Sequence, residues 1–161
     1  MTKLLLSLHV LAAILLIGPA TVAASLFPRF ARQALAPDGD RTKKGTAALR
    51  ILHRITRVYS AISVTVPAFG MATAQRMGVL GDTWLVVSMA LTAVAAVLLA
   101  IAVFSQDAII DALDLHDTEP EAAPKLAAGL PRLSMITGLF ALTWAVVTVL
   151  MIVRPGSTTG A

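Results

Sequence analysis

The chain has no cysteine, which excludes disulfides, thiolate metal ligands and cysteine nucleophiles. Charge is scarce as well. Only 14% of the 161 residues are Asp, Glu, Lys or Arg, while 57% are hydrophobic and the mean hydropathy is +0.82. A soluble domain of this size could not cover so much apolar side chain, so a membrane-embedded chain is implied. There is no internal repeat, no Walker or GxGxxG loop, no GxSxG and no HExxH, which leaves hydrolase and nucleotide-binding readings without support. The apolar runs also lack the strict period-two alternation of a transmembrane β-barrel.

What remains is four apolar stretches, residues 4–27, 58–74, 84–104 and 133–153, or 24, 17, 21 and 21 residues. Roughly 20 are needed to cross the hydrocarbon core as a helix. The second is short and interrupted by Pro67 and Gly70, but the helix-forming flank at 47–57 extends it. The expected fold is all-α: one polytopic domain over residues 1–154, an antiparallel bundle of four transmembrane helices with cytoplasmic extensions, followed by a short mobile tail at 155–161.

Orientation follows from the basic residues. Arg29, Arg32, Arg41, Lys43, Lys44, Arg50, Arg54 and Arg57 follow the first stretch and only Lys3 precedes it, which argues against a cleaved secretory signal and for a cytoplasmic 28–57 loop. With Lys125 and Arg132 in the third loop, ten of the thirteen basic residues lie on one side; Lys3, Arg76 and Arg154 lie on the other. Both termini are then extracytoplasmic. Trp84 and Tyr59 sit where interfacial anchors belong. The formal charge of +4 and pI near 10.1 do not indicate nucleic acid, because the basic residues flank a span and no nucleic-acid motif accompanies them. The partner implied is the lipid bilayer, with a homo-oligomer or a larger membrane complex left open.

The flanks carry patterns of their own. At ~100° per residue Lys43, Arg50, His53, Arg54 and Arg57 form one basic stripe, and Asp107, Asp111 and Asp114 form an acidic one past the third span. Equal distances from the short outer turn at 77–83 set Arg54 near Asp107 and Arg50 near Asp111. The alternative is that the basic stripe meets anionic headgroups and the acidic one meets water, since exposed ion pairs contribute only about 0–1 kcal/mol. His116 lies in a carboxylate-rich run at 114–121 that lacks EF-hand spacing and reads as a solvated loop. His53 reads as a surface member of the basic stripe.

His9 is the one imidazole inside an apolar stretch, and hydrocarbon offers it no water. It should turn into the bundle. The same outer halves hold Met71, Met89 and Met151, one from each of the other helices, at matching depth. Imidazole with thioether sulfur suits copper in its low-valent state, and His with Met is also an axial pair for haem. Against both stands the common use of Met as a gap-filler in apolar packing.

The opening SLHVLAAILLIGPATVAASLFPRFARQ resembles the first helix of small bacterial membrane proteins related to copper-resistance protein D and to HemJ-type protoporphyrinogen oxidases, where a leucine-histidine pair begins the helix and a Phe-Pro-Arg-like turn ends it. The closing PRLSMITGLFALTWAVVTVLMIVRPG is similar to the last helix of that group, with a basic residue before proline. The resemblance implies a protein of the bacterial cytoplasmic membrane, with His9 directed at haem or porphyrin and Arg154 in the place of a lysine. The tryptophan and second-helix features of the oxidases are not evident, so oxidase activity does not carry over. The functional expectation is haem or porphyrin binding, or a redox association, through His9, with Arg154, Met151, Met89 and Met71 as further candidates. Copper handling by His9 and the methionines, and a non-catalytic accessory subunit, are the alternatives.

Overall fold

A computed structural model describes residues 2–35, 43–114 and 122–156. The chain begins as α1 (Thr2–Ala12), passes through one π-helical segment (Ala13–Ile17) and continues as α2 (Gly18–Leu35). Pro19 explains the widened turn: it has no N–H, and its ring meets the carbonyl four residues back, at Leu15. Pro28 does not end the helix, as the Phe-Pro-Arg turn led us to expect. The helix runs on to Leu35 because Phe27, Ala31, Ala34 and Leu35 are buried against Leu49, Ile109 and Leu130, and that packing offsets one lost backbone bond.

Next come α3 (Lys43–Ser63) and α4 (Thr65–Met77), separated only by Val64. Pro67 accounts for the break, since its ring meets the Ser63 carbonyl. Gly70, expected to interrupt this segment, is helical throughout. A Schellman turn closes α4: Gly78 adopts φ +70°, its N–H donates to the Gln75 carbonyl, and the Val79 N–H donates to the Ala74 carbonyl. The chain returns as α5 (Thr83–Asp114), and α6 (Ala122–Val153) completes the fold.

Three helical segments, Lys3–Leu35, Thr83–Leu113 and Lys125–Val153, are long and apolar enough to cross a membrane. The α3–α4 segment is not one of them, because three arginines occupy its first half. The first segment packs with α1 against α4 and with α2 against α3; α5 packs on α6, and α2 on α6 and α3 on α5 join the two halves. The largest apolar cluster lies where α2, α3, α5 and α6 meet, around Phe27, Leu49, Ala102, Leu130 and Leu133. Smaller clusters surround Phe140 and Val66, and Trp84 and Ala74. The tail beyond residue 156 and the run holding His116 lie outside the described residues.

Candidate functional site

Of the described α1 side chains, His9 alone is buried, at 9% exposure. Its Nδ1 lies 2.9 Å from the Val66 carbonyl oxygen. A carbonyl only accepts, so Nδ1 carries a proton, and in the neutral ring the lone pair is on Nε2. Gly70 makes the approach possible: a Cβ there would fall 2.9 Å from His9 Cε1 and 3.3 Å from Nδ1. Pro67 breaks the rod just before this level, and the small residue one turn later accepts the ring. Among the described residues no hydrogen bond to Nε2 is present.

The other candidates are placed apart from the imidazole. Met71 and Met89 are 38% and 41% exposed. Met151 packs against the cluster of Ala74, Trp84 and Leu85. Arg154 joins that group: its guanidinium carbon stands 5.6 Å from the Trp84 ring centroid, and its Nε donates to the Met151 carbonyl at 3.3 Å. The Trp84 indole N–H donates to Asp82 at 3.0 Å. Ala74 is one turn beyond Gly70, so this cluster begins about 6 Å along α4 from the imidazole. A cavity of about 330 Å³ opens there, lined by Gly81, Asp82, Thr83, Trp84, Pro155 and Gly156. The side chains expected to converge are thus divided: His9 with Val66 and Gly70, Met151 and Arg154 with Trp84, and the other two methionines on exposed faces.

At the other end, the expected contact between basic and acidic stripes forms with different partners. Asp107 is met by His53, Nε2 to Oδ1 3.0 Å, and by Arg57, 3.7 Å to the same oxygen. Arg54, expected opposite Asp107, is exposed instead. The reason is the buried face of α3: Leu49 and Thr56 define it, His53 and Arg57 lie at its edge, and Arg54 is turned about 100° past His53. Among the described residues Asp111 forms no ion pair, and the Arg50 side chain is exposed. The side chains of Asp114 and Lys43 lie outside the described residues.

His53 is therefore the residue that the sequence reading misplaced. It is half-buried, and its second nitrogen, Nδ1, lies 3.4 Å from Gln106 Oε1. Gln106 is fully buried, and its Nε2 has no partner. An unpaired buried donor costs about 1–3 kcal/mol. A signal was present in the sequence: a glutamine beside Asp107 within an apolar helix has to find polar company. The buried hydroxyls are satisfied within their own helices: Thr56, Thr73, Ser88 and Thr143 each donate to a carbonyl four residues back, and Ser63 and Thr137 to one three residues back. No group of three or more His, Asp or Glu suited to a metal ion occurs among the described residues.

Three long apolar helical segments, each able to cross a membrane by length and composition, define the class as an all-helical integral membrane protein. The chain matches, over residues 3–155, the family described as "Predicted integral membrane protein (DUF2269)", and it belongs to that family. No curated protein and no solved structure matches it. The expected link to copper-resistance protein D and the HemJ-type oxidases is not among the relationships shown.

Proposed function

We propose that the chain is a four-span protein of the bacterial cytoplasmic membrane, both termini outside, that presents the His9 imidazole as the single protein ligand of a haem or porphyrin-type group. One observation carries this reading. The Val66 carbonyl holds the Nδ1 proton and leaves the Nε2 lone pair available, the arrangement by which backbone carbonyls orient ligating histidines. The donor chemistry would suit a metal-bearing group held through one imidazole nitrogen. The bound group would supply the redox chemistry; the chain would orient the imidazole and keep water from it.

Arg154 supports the reading to a lesser degree, since its Nη atoms keep donors for a carboxylate while its Nε is spent on Met151. The copper alternative gains nothing from the methionines, which the fold does not gather about His9. The accessory-subunit alternative draws on the same His9 bond, which ties α1 to α4 whether or not anything binds.

The optical spectrum and metal content of the purified protein test the proposal. A Soret band that His9→Ala removes, while Met71→Leu and Met89→Leu keep it, is the expected result. Absence of any porphyrin absorption after growth with haem supply would overturn it. The His9 bond would then be the whole of its role, as in a structural subunit.

A further inference from the structure

We infer that His53 and Gln106 form a proton-operated clasp between α3 and α5, in which the Gln106 amide turns over as the imidazole gains or loses its Nδ1 proton. The contacts require it. The carboxylate of Asp107 only accepts, so the His53 nitrogen facing it, Nε2, carries a proton in either charge state of the ring. Nδ1 is then the nitrogen that changes.

When the ring is charged, Nδ1–H donates to Gln106 Oε1, which is the orientation in the structure, and the amide nitrogen is left buried without a partner. When the ring is neutral, that orientation would set two lone pairs against each other at 3.4 Å. Half a turn of the amide exchanges oxygen for nitrogen at almost the same shape, and Gln106 Nε2–H then donates to Nδ1. One proton is taken from water at the membrane face or returned to it, and no bond other than N–H forms or breaks.

The same event redistributes Asp107. With His53 charged, the carboxylate faces two cations of α3, the imidazolium and Arg57; with His53 neutral, Arg57 alone carries charge toward it. No other charge intervenes among the described residues. Arg54 on α3 and Asp111 on α5 are exposed and form no ion pair with the cluster, and Arg50 lies a turn away. The neighbours packed on α3 and α5 bring apolar side chains to this end: Phe27 and Ala31 from α2, Leu130 and Leu133 from α6. Their charged residues, Arg29, Arg32, Lys125 and Arg132, are exposed. Because α3 on α5 is one of the seams joining the two halves of the molecule, the clasp sits where a change of bonding alters how firmly they hold together.

The composition makes the test clean. The chain has three histidines, three glutamines (Gln33, Gln75 and Gln106) and no asparagine, so only three side-chain amides appear in a nitrogen-15 spectrum. The full-length labelled protein is titrated in lipid nanodiscs between about pH 5 and 8, the range in which imidazoles commonly change charge. Two results are expected: the neutral His53 ring carries its proton on Nε2, and the Gln106 amide signals move with the same midpoint as the ring. In His53→Gln, which keeps the size and hydrogen-bonding groups at that position, the Gln106 signals should stay constant across the range. A neutral ring protonated on Nδ1, a ring that does not titrate in this range, Gln106 signals flat while His53 titrates, or Gln106 signals that still move in His53→Gln would each overturn the clasp.

Discussion

At Gly70 the imidazole of His9 stands where a methyl group would have to go, so two neighbouring positions are tied together by volume as well as by a hydrogen bond. Gly70→Ala would place its Cβ 2.9 Å from a ring carbon that is itself fixed by Val66, and should cost about 1–3 kcal/mol, the usual range for overpacking. His9→Ala removes the interhelical bond and should cost about 1 kcal/mol, typical of such bonds within membranes. The double variant should cost clearly less than the sum, because the new methyl group then occupies the space the ring has left and alanine favours helix over glycine by about 1 kcal/mol. Thermal or denaturant unfolding of the four proteins measures this. Additivity within about 0.3–0.5 kcal/mol would show that the two residues do not touch. The same cycle discriminates at the other end: His53→Leu and Asp107→Asn should couple beyond that margin, whereas Arg54→Leu and Asp107→Asn should not, since Arg54 is turned away from α5.

Among the elements, glycines of opposite role allow a paired prediction. Gly78 closes α4 at φ +70°, with open space where a Cβ would stand, so Gly78→Ala loses stability for backbone reasons alone, by about 1–2 kcal/mol. Gly138 lies inside α6 with equally open space, and Gly138→Ala should gain up to about 1 kcal/mol from helix propensity. Unfolding midpoints that move the same way for both would refute this account of the two sites. How far each element was legible follows similar lines. The acidic stripe of Asp107 and Asp111 foretold that α5 would outrun its apolar stretch, because helical spacing continued past it. The extension of α2 through Pro28 was hidden, since proline signals an end unless one knows that Phe27 and Ala31 will be buried by other helices. His53 was misjudged for a related reason. Charge spacing placed it in a basic stripe, while its role depends on the buried face marked by Leu49 and Thr56, neither of which advertises burial in the sequence. His9 could be singled out by its isolation among apolar residues; its partner could not, because a backbone carbonyl at Val66 leaves no trace in residue type.

On the scale of the whole molecule, the lengths of the segments raise a question that charge answers. The 33 residues of Lys3–Leu35 would reach about 50 Å as a helix, well beyond a hydrocarbon core of about 30 Å, so one end must project. Arg29 and Arg32 mark that end, since arginines are costly to hold within hydrocarbon. The α3–α4 segment has the opposite difficulty: its apolar part, residues 58–74, spans only about 26 Å, and crossing requires local thinning or the reach of Arg57 toward the headgroups. The cost is modest, fractions of a kcal/mol per Å, whereas leaving this segment on one side would place Ala47 and Leu80 on the same face of the membrane. The absence of cysteine provides a direct check, because a single introduced thiol is the only one present. Ala47→Cys and Leu80→Cys both fall at exposed positions at opposite ends of the segment. In spheroplasts a membrane-impermeant maleimide should label Leu80→Cys at once and Ala47→Cys only after permeabilisation. The reverse pattern would invert the orientation derived from the basic residues. Equal labelling of both in intact spheroplasts would mean that α3–α4 does not cross, leaving the three long apolar segments as the only spans and the two termini on opposite sides.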